Sequence, residues 1–447
     1  MQDKPPFIAS QKIFLLDAET SDPRRFLSPD FFRRLRVGER LDDSKEGLDD
    51  SPWKPTSRDK LFLDGGPRRL CLTTDAGIGK TTTLRWAEQQ IGRQHPDRLA
   101  IYVQLSDLPT QADLYVGILA ELLLIRSQAQ LDRAKAGEIV TSLLQSGHLV
   151  LLVDALDQTL SDTSADAKLR TLARFLQLDA RNCSATVAGR PYAIDHYWDT
   201  LFDDRSWRFA QLATFTSQQQ REYLGSERFD HLHRLDVEVL AVPRALETIR
   251  VVPTDELDDL STAADVYWRA VDVMLEKGFK SHLVRRSDPT GEFTIEDAHR
   301  LLAMLAFEMS REDNFASVNE DEMDEFLQQV WQRHYNHSPW ASLERFKDRL
   351  RLLGRLNEFL EHAVLDVRDL SELQWKNRSL QEFFAGLWLA RYASEDDLPW
   401  IEQSVYQPVY EASSVYREDR RGALYWSWRF AAEMPEEGRR WRAGCAP

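Results

Sequence analysis

The apolar positions of the chain follow two regimes that change near residue 215. Before that point, short continuous apolar runs alternate with amphipathic stretches. Residues 70–73, 99–105, 148–154 and 185–188 read as strands, because apolar runs of about 4–8 residues suit strands covered on both faces. Helical spacing appears around 113–125 and 167–178. Alternation of this kind predicts a parallel sheet with helices on both faces and ligands at the carboxyl ends of its strands.

After residue 215 the pattern turns helical. Residues 217–224, 237–249 and 261–277 carry helical periodicity, the last with Val266, Tyr267, Ala270, Val271 and Met274 on one face. The acidic run 255–259 reads as a solvated turn, and 285–291, with Pro289 and Gly291, as a boundary. Thr294 with Asp297 opens another helix whose core face is Leu301, Leu302, Leu305 and Met309. Leu343, Phe346, Leu350, Leu353 and Leu360 repeat the spacing, residues 363–367 are strand-like, and 379–382 form a capping box before Phe383, Phe384 and Leu387. Helices with a small β element suit a winged-helix domain. Residues 1–62 hold a strand at 13–16, a short helix at 29–36 and a linker over 42–55; the pattern assigns them no function.

Composition narrows the function classes. The 447 residues are 43% hydrophobic and carry a net charge of −16, which suits a globular protein and disfavours non-specific binding to nucleic acid or anionic membranes. Cys71, Cys183 and Cys445 are far apart, which implies neither a disulfide framework nor a zinc site and fits a reducing, cytoplasmic setting. The apolar windows are too short to span a bilayer. The pairs His231/His233 and His334/His337 lack the spacing of helical zinc ligands and read as core or solvated side chains.

The chemistry concentrates in 70–86, a strand, a glycine-bearing loop and a helix opening in threonines. Ala76, Gly77, Ile78 and Gly79 form a loop whose backbone can approach a phosphate closely. Lys80 can reach the β- and γ-phosphates, Thr81 can ligate Mg²⁺, and Thr82 continues the helix start. Thr74 stands where the pattern G-x-x-x-x-G-K-[ST] places its first glycine. Strand, loop and helix together read as a nucleotide-binding P-loop. Asp154 ends an apolar strand and suits Mg²⁺ held opposite Thr81; Asp157 suits orientation of an attacking water. Arg190, after the strand at 185–188, can place a guanidinium on the γ-phosphate.

Taken in order, these residues resemble a NACHT-type member of the STAND signal-transduction ATPases, over residues 63–392. Residues 74–82 are similar to the family's A-G-x-G-K-T loop, and 151–157 to its extended Walker B, with Gln158 where an acidic residue is usual. Residues 188–191 resemble the sensor strand. The stretch 242–246 resembles the motif whose proline, here Pro243, packs near adenine. Residues 375–385 resemble the winged-helix signature, with Asn377 at the position of a histidine that contacts the β-phosphate of ADP.

The resemblance implies domains at 63–215 (nucleotide-binding), 216–284 (helical) and 285–395 (winged-helix), with 396–447 beginning a C-terminal region or truncated sensor. It implies an ATP/ADP and Mg²⁺-dependent switch and slow ATPase. An unknown trigger would open it, and it would self-oligomerise to drive an unknown effector, in innate or antiphage defence. Two alternatives stay open: a nucleotide-regulated winged-helix transcriptional regulator, and a non-hydrolysing ADP-binding scaffold. The charge balance places nucleic acid outside the expected partners.

Overall fold

The computed structural model describes residues 11–17, 20, 53–74, 77–126, 132–156, 164–203, 205–234, 241–260, 262–279, 293–311, 317–318, 320–334, 342–358, 366–368, 370, 372–375, 378–394 and 397. The chain divides into two compact units, Met1–Tyr223 with Ala241–Pro243, and Leu224–Leu240 with Arg244–Pro447.

The first unit is built on seven strands: β1 (Ile13–Leu16), β2 (Trp53–Thr56), β3 (Arg69–Thr73), β4 (Leu99–Gln104), β5 (Leu149–Asp154), β6 (Ser184–Gly189) and β7 (Trp207–Leu212). Their order across the sheet is β2-β1-β7-β3-β6-β5-β4. The five strands from β7 to β4 are parallel, while β1 pairs antiparallel with both β7 and β2. This is the α/β fold of a P-loop NTPase, as the strand–helix alternation predicts.

Successive side chains of a strand point to opposite faces, so each apolar run feeds two cores. Leu70, Leu72, Val150 and Leu152 join one, with Leu84, Ala87 and Ile91 of the helix Lys80–Gln94. Cys71, Leu149, Leu151 and Val153 join the other, with Leu119, Val140 and Leu172 of the helices on the opposite side. Each such leucine, fully removed from water, contributes about 1.5–3 kcal/mol. The helices of this unit are α1 (Arg58–Phe62), α2 (Lys80–Gln94), α3 (Tyr115–Arg126), α4 (Arg133–Ser146), α5 (Ala165–Leu178), α6 (Pro191–His196) and α7 (Ser217–Leu224). Arg69 looks out of place in a buried strand, but its guanidinium donates to the carbonyls of Cys183, Leu176 and Ala180 at 2.6, 2.7 and 3.0 Å. It thereby satisfies the Leu176 carbonyl in the last turn of α5 and two carbonyls of the connection to β6.

Two sequence expectations change here. The linker read over 42–55 ends inside β2, because Trp53 and Pro55 belong to a strand. Proline cannot donate to a ladder, and β2 is tolerated because it is the sheet's outermost strand. β7 was not expected at all, and it stands next to β3 in the sheet.

The second unit is mainly helical: α8 (Ser226–Leu232), α9 (Pro243–Ile249, from Arg244 on), α10 (Ala263–Phe279), α11 (Ile295–Arg311), α12 (Glu320–His334), α13 (Leu343–Glu358) and α14 (Arg378–Arg391). A small antiparallel sheet of order β8-β10-β9 accompanies them, from Ser317–Val318, Glu372–Gln374 and Asp366–Arg368. Thr294 and Asp297 cap α11 reciprocally, each side chain accepting the other's backbone N–H. Leu301, Leu302, Leu305 and Met309 are all buried.

Ser379 lies inside α14, which already begins at Arg378, so it does not open the helix as the capping-box pattern expects. The acidic turn at 255–259 is a 3₁₀ helix, Thr254–Asp259, and Glu256 pairs there with Arg269. Glu308 is fully buried and bonded to Arg333 and, at 2.7 Å, to His334 Nε2. His334 is thus a core side chain, and His231 sits on Asp258 at 2.6 Å. The short helix expected at 29–36 and the position Leu360 lie outside the described residues.

Candidate functional site

The loop after β3 is shaped by two glycines. Gly77 and Gly79 have φ of 75° and 111°, a region where a Cβ meets the backbone. Gly79 is the N-cap of α2, and Lys80 is that helix's first residue. Between the glycines Ile78 is buried and anchors the loop in the core beside Leu84. The helix therefore presents its unsatisfied N–H groups and positive end to the loop.

Thr74, in place of the first glycine, is buried, and its hydroxyl donates to the carbonyl of Leu212 at the end of β7, 3.1 Å away. Its own carbonyl accepts from Lys80 Nζ at 2.6 Å. The lysine thus spans the mouth of the loop.

Sheet register brings the remaining groups to the same end. Thr73 is level with Gly189 on β6 and Gln211 on β7, and Gln104 is level with Asp154. Thr81 Oγ1 donates to Asp154 Oδ2 at 2.5 Å, and Tyr102 Oη donates to the same oxygen at 3.0 Å. Asp154 Oδ1 accepts the N–H of Ala155 at 2.8 Å. Ala155 itself has φ of 64°, a left-handed conformation uncommon for a residue with a Cβ, so the chain turns sharply as it leaves the carboxylate. The expected pair Thr81 and Asp154 is therefore in direct contact. An all-oxygen donor set of hydroxyl and carboxylate fits a hard cation such as Mg²⁺.

Tyr102 is a participant that sequence reasoning missed. It sits in β4 on the face that packs against α2, where Arg85 lies 3.6 Å from its ring centroid and Glu88 accepts its backbone N–H at 2.8 Å. Burial, then the charge and bond of Asp154, push its phenol well above its ordinary value. The available signal was a hydroxyl-bearing ring at the parity of the α2-facing positions in an otherwise apolar strand.

Arg190 leaves β6 directly after Gly189, half-buried, and precedes Pro191 at the start of α6. A Cβ on Gly189 would come within 2.9 Å of Leu156 Cβ. The strand carrying Arg190 is thereby keyed to the turn after Asp154. Thr82 is half-buried in the first turn of α2. Pro243 is the half-buried first residue of α9. Ala76, Asp157 and Asn377 lie outside the described residues.

Residues 64–197 match a family model described as AAA domain. Solved structures similar to the chain include the Aeropyrum pernix ORC2 protein in ADPNP–ADP complexes, at 14% identity over 82% of this chain and 92% of that one, with a TM-score of 0.32. The Aeropyrum pernix ORC1 protein in complex with DNA is 15% identical over 83% and 96%, also at 0.32. Cdc6p from Pyrobaculum aerophilum is 16% identical over 81% and 94%, at 0.27. No curated protein matches the chain. The family match is to an AAA domain, narrower in extent than the NACHT resemblance and different in name. The expectation that nucleic acid is not a partner draws no support from these matches. Among the described residues no helix is long and apolar enough to cross a membrane.

Proposed function

We propose that the chain is an ATP/ADP-dependent molecular switch, a slow P-loop ATPase whose nucleotide state governs self-association. The observation that supports it most is the 2.5 Å contact of Thr81 with Asp154 beside the lysine-spanned loop. Lys80 and the N-terminus of α2 would hold the phosphates, and Thr81 and Asp154 the Mg²⁺. Arg190 would face the γ-phosphate, and Asp157 would orient water. The finer STAND reading rests on the motif order, with Pro243 near adenine and Asn377 on the β-phosphate. It extends to a winged-helix lid, supported by the three-stranded sheet beside the helices of the second unit, and to trigger-dependent assembly in cytoplasmic defence.

For the alternative of a DNA-binding regulator, the basic face of α13 is partly engaged already. Arg349 lies over the ring of Phe293, and Arg351 pairs with Asp348.

Two measurements test the proposal. Protein purified natively and then denatured should release adenine nucleotide, mostly ADP, and Lys80→Ala should release none. Size-exclusion with mass detection should show a larger species with a non-hydrolysable ATP analogue than with ADP. An empty site in folded wild-type protein would remove the switch reading, and equal masses in both nucleotides would remove the assembly step.

A further inference from the structure

The segment to which the sequence pattern assigns no function reaches the back of the phosphate loop. Gln11, just before β1, is buried, and its Nε2 donates to the carbonyl of Ile78 at 2.9 Å and to that of Ala213 at 2.7 Å. Ile78 lies between the two left-handed glycines, and Gln11 Oε1 is 3.7 Å from where a Cβ on Gly79 would stand. The same Oε1 accepts from Arg58 Nη2 at 2.7 Å, and that nitrogen also donates to Thr83 Oγ1 in the first turn of α2, at 3.1 Å. Arg58 is 4% exposed, and its Nε and Nη1 have no hydrogen-bond partner among the described residues.

From this arrangement we infer that Gln11 and Arg58 are positioning residues of the phosphate site. Arg58 supplies a buried positive charge behind the loop, and Gln11 couples that charge to the loop's backbone. The inference rests on the reading of the loop as a nucleotide site.

A buried guanidinium with two unpartnered nitrogens is costly, because its donors have left water and, among the described residues, only the ring of Trp86, 5.8 Å from Cζ, faces its charge besides the two hydrogen-bond acceptors. Desolvation by burial pulls its pKa down to about 10, against a smaller upward effect of Asp59. An anion placed on the other side of the loop relieves that cost. A polyphosphate is the anion such a loop is shaped to receive. The Gln11 amide, held by the cation at its oxygen and by two carbonyls at its nitrogen, fixes the loop's curvature relative to the end of β7. Arg58 thus acts through charge and Gln11 through geometry, and neither needs to touch the ligand.

A charge behind the loop acts on ligands in proportion to their own charge. Across roughly 10 Å of protein, a unit charge changes affinity by about tenfold for each further charge on the ligand. In the full-length protein stripped of nucleotide, Arg58→Met keeps an apolar stem and removes the cation, and Arg58→Lys keeps the cation. Dissociation constants for ATP, ADP and AMP, and the melting temperature without nucleotide, are measured for each. Arg58→Met should weaken ATP by about tenfold or more relative to AMP, with ADP between the two. Arg58→Lys should retain most of the ATP-over-AMP preference.

Equal losses for all three ligands with a lowered melting temperature would mean a purely structural arginine and would overturn the inference, as would no loss at all. Should Arg58→Met not fold, the ATP-to-AMP ratio of Arg58→Lys against wild type decides, and a collapse of that ratio refutes the charge role. Wild-type protein that binds none of the three instead refutes the nucleotide reading itself.

Discussion

Restoring the consensus glycine at residue 74 should harm this loop. Thr74 is buried, donates to Leu212 O at 3.1 Å and has no left-handed φ that a glycine would relieve. Thr74→Gly loses one neutral hydrogen bond, about 1 kcal/mol net, and adds backbone freedom of about 0.5–1 kcal/mol. Both losses fall on a segment that must be ordered to hold a ligand, so together about 1.5–2 kcal/mol is subtracted from binding. That corresponds to a dissociation constant raised by roughly tenfold or somewhat more. Titration of stripped protein with a fluorescent ADP analogue measures it directly. Thr74→Ser keeps the hydroxyl and should bind nearly as wild type, while Thr74→Val keeps the branched shape and should fall between. If Thr74→Gly binds ADP as tightly as wild type or more tightly, the tie to β7 contributes nothing to the loop and this account of Thr74 is refuted.

Three further outcomes are expected. Tyr102→Phe removes one of the two side-chain donors on Asp154 Oδ2, so it should weaken the Mg²⁺-dependent gain in ATP affinity while leaving affinity in chelator unchanged; an equal loss in both conditions would refute a role through Asp154. Gly189→Ala forces a Cβ to within 2.9 Å of Leu156 Cβ in a central strand, and should cost about 1–3 kcal/mol of unfolding free energy in a denaturant titration; an unchanged stability would refute this keying of the strand to the turn. Burial opposes ionisation of Glu308, but the bond to His334 and the charges of His334, Arg333 and Arg311 outweigh it and hold the carboxyl below its ordinary 4.5. A depressed folded value gives stabilisation that is complete above that pH and lost as pH falls below it. Melting temperature should therefore fall less steeply below pH 4.5 in Glu308→Gln than in wild type, and parallel curves would refute this.

What was legible in the sequence follows from what each segment had to bury. β5 is apolar on both faces because both are covered, so its run of residues announced a strand and placed Asp154 at its end. The glycines of the loop were legible because positive φ leaves few residue choices. β7 was hidden because Arg208 and Gln211 interrupt its run. Arg208 is accommodated by donating to Leu16 O at 2.9 Å, a contact 192 positions distant that no local pattern reveals. β2 was hidden by Pro55, a residue that marks loops on average and an outermost strand here. Tyr102, Gln11 and Arg58 were missed for a common reason: each acts through a partner brought near only by folding.

The place of β7 has a consequence for what counts as a self-sufficient piece of this protein. The match to the family model covers residues 64–197, yet β7 begins at Trp207 and is one of β3's two neighbours. A fragment cut at the limits of that match would bare one side of β3, leaving a row of backbone donors and acceptors without a mate beside the very strand that feeds the loop. Bare ladders recruit copies of themselves. Such a fragment would answer with self-adhesion where nucleotide capture was sought. The stretch that the family model matches and a piece with its central strand fully paired are, in this chain, different objects.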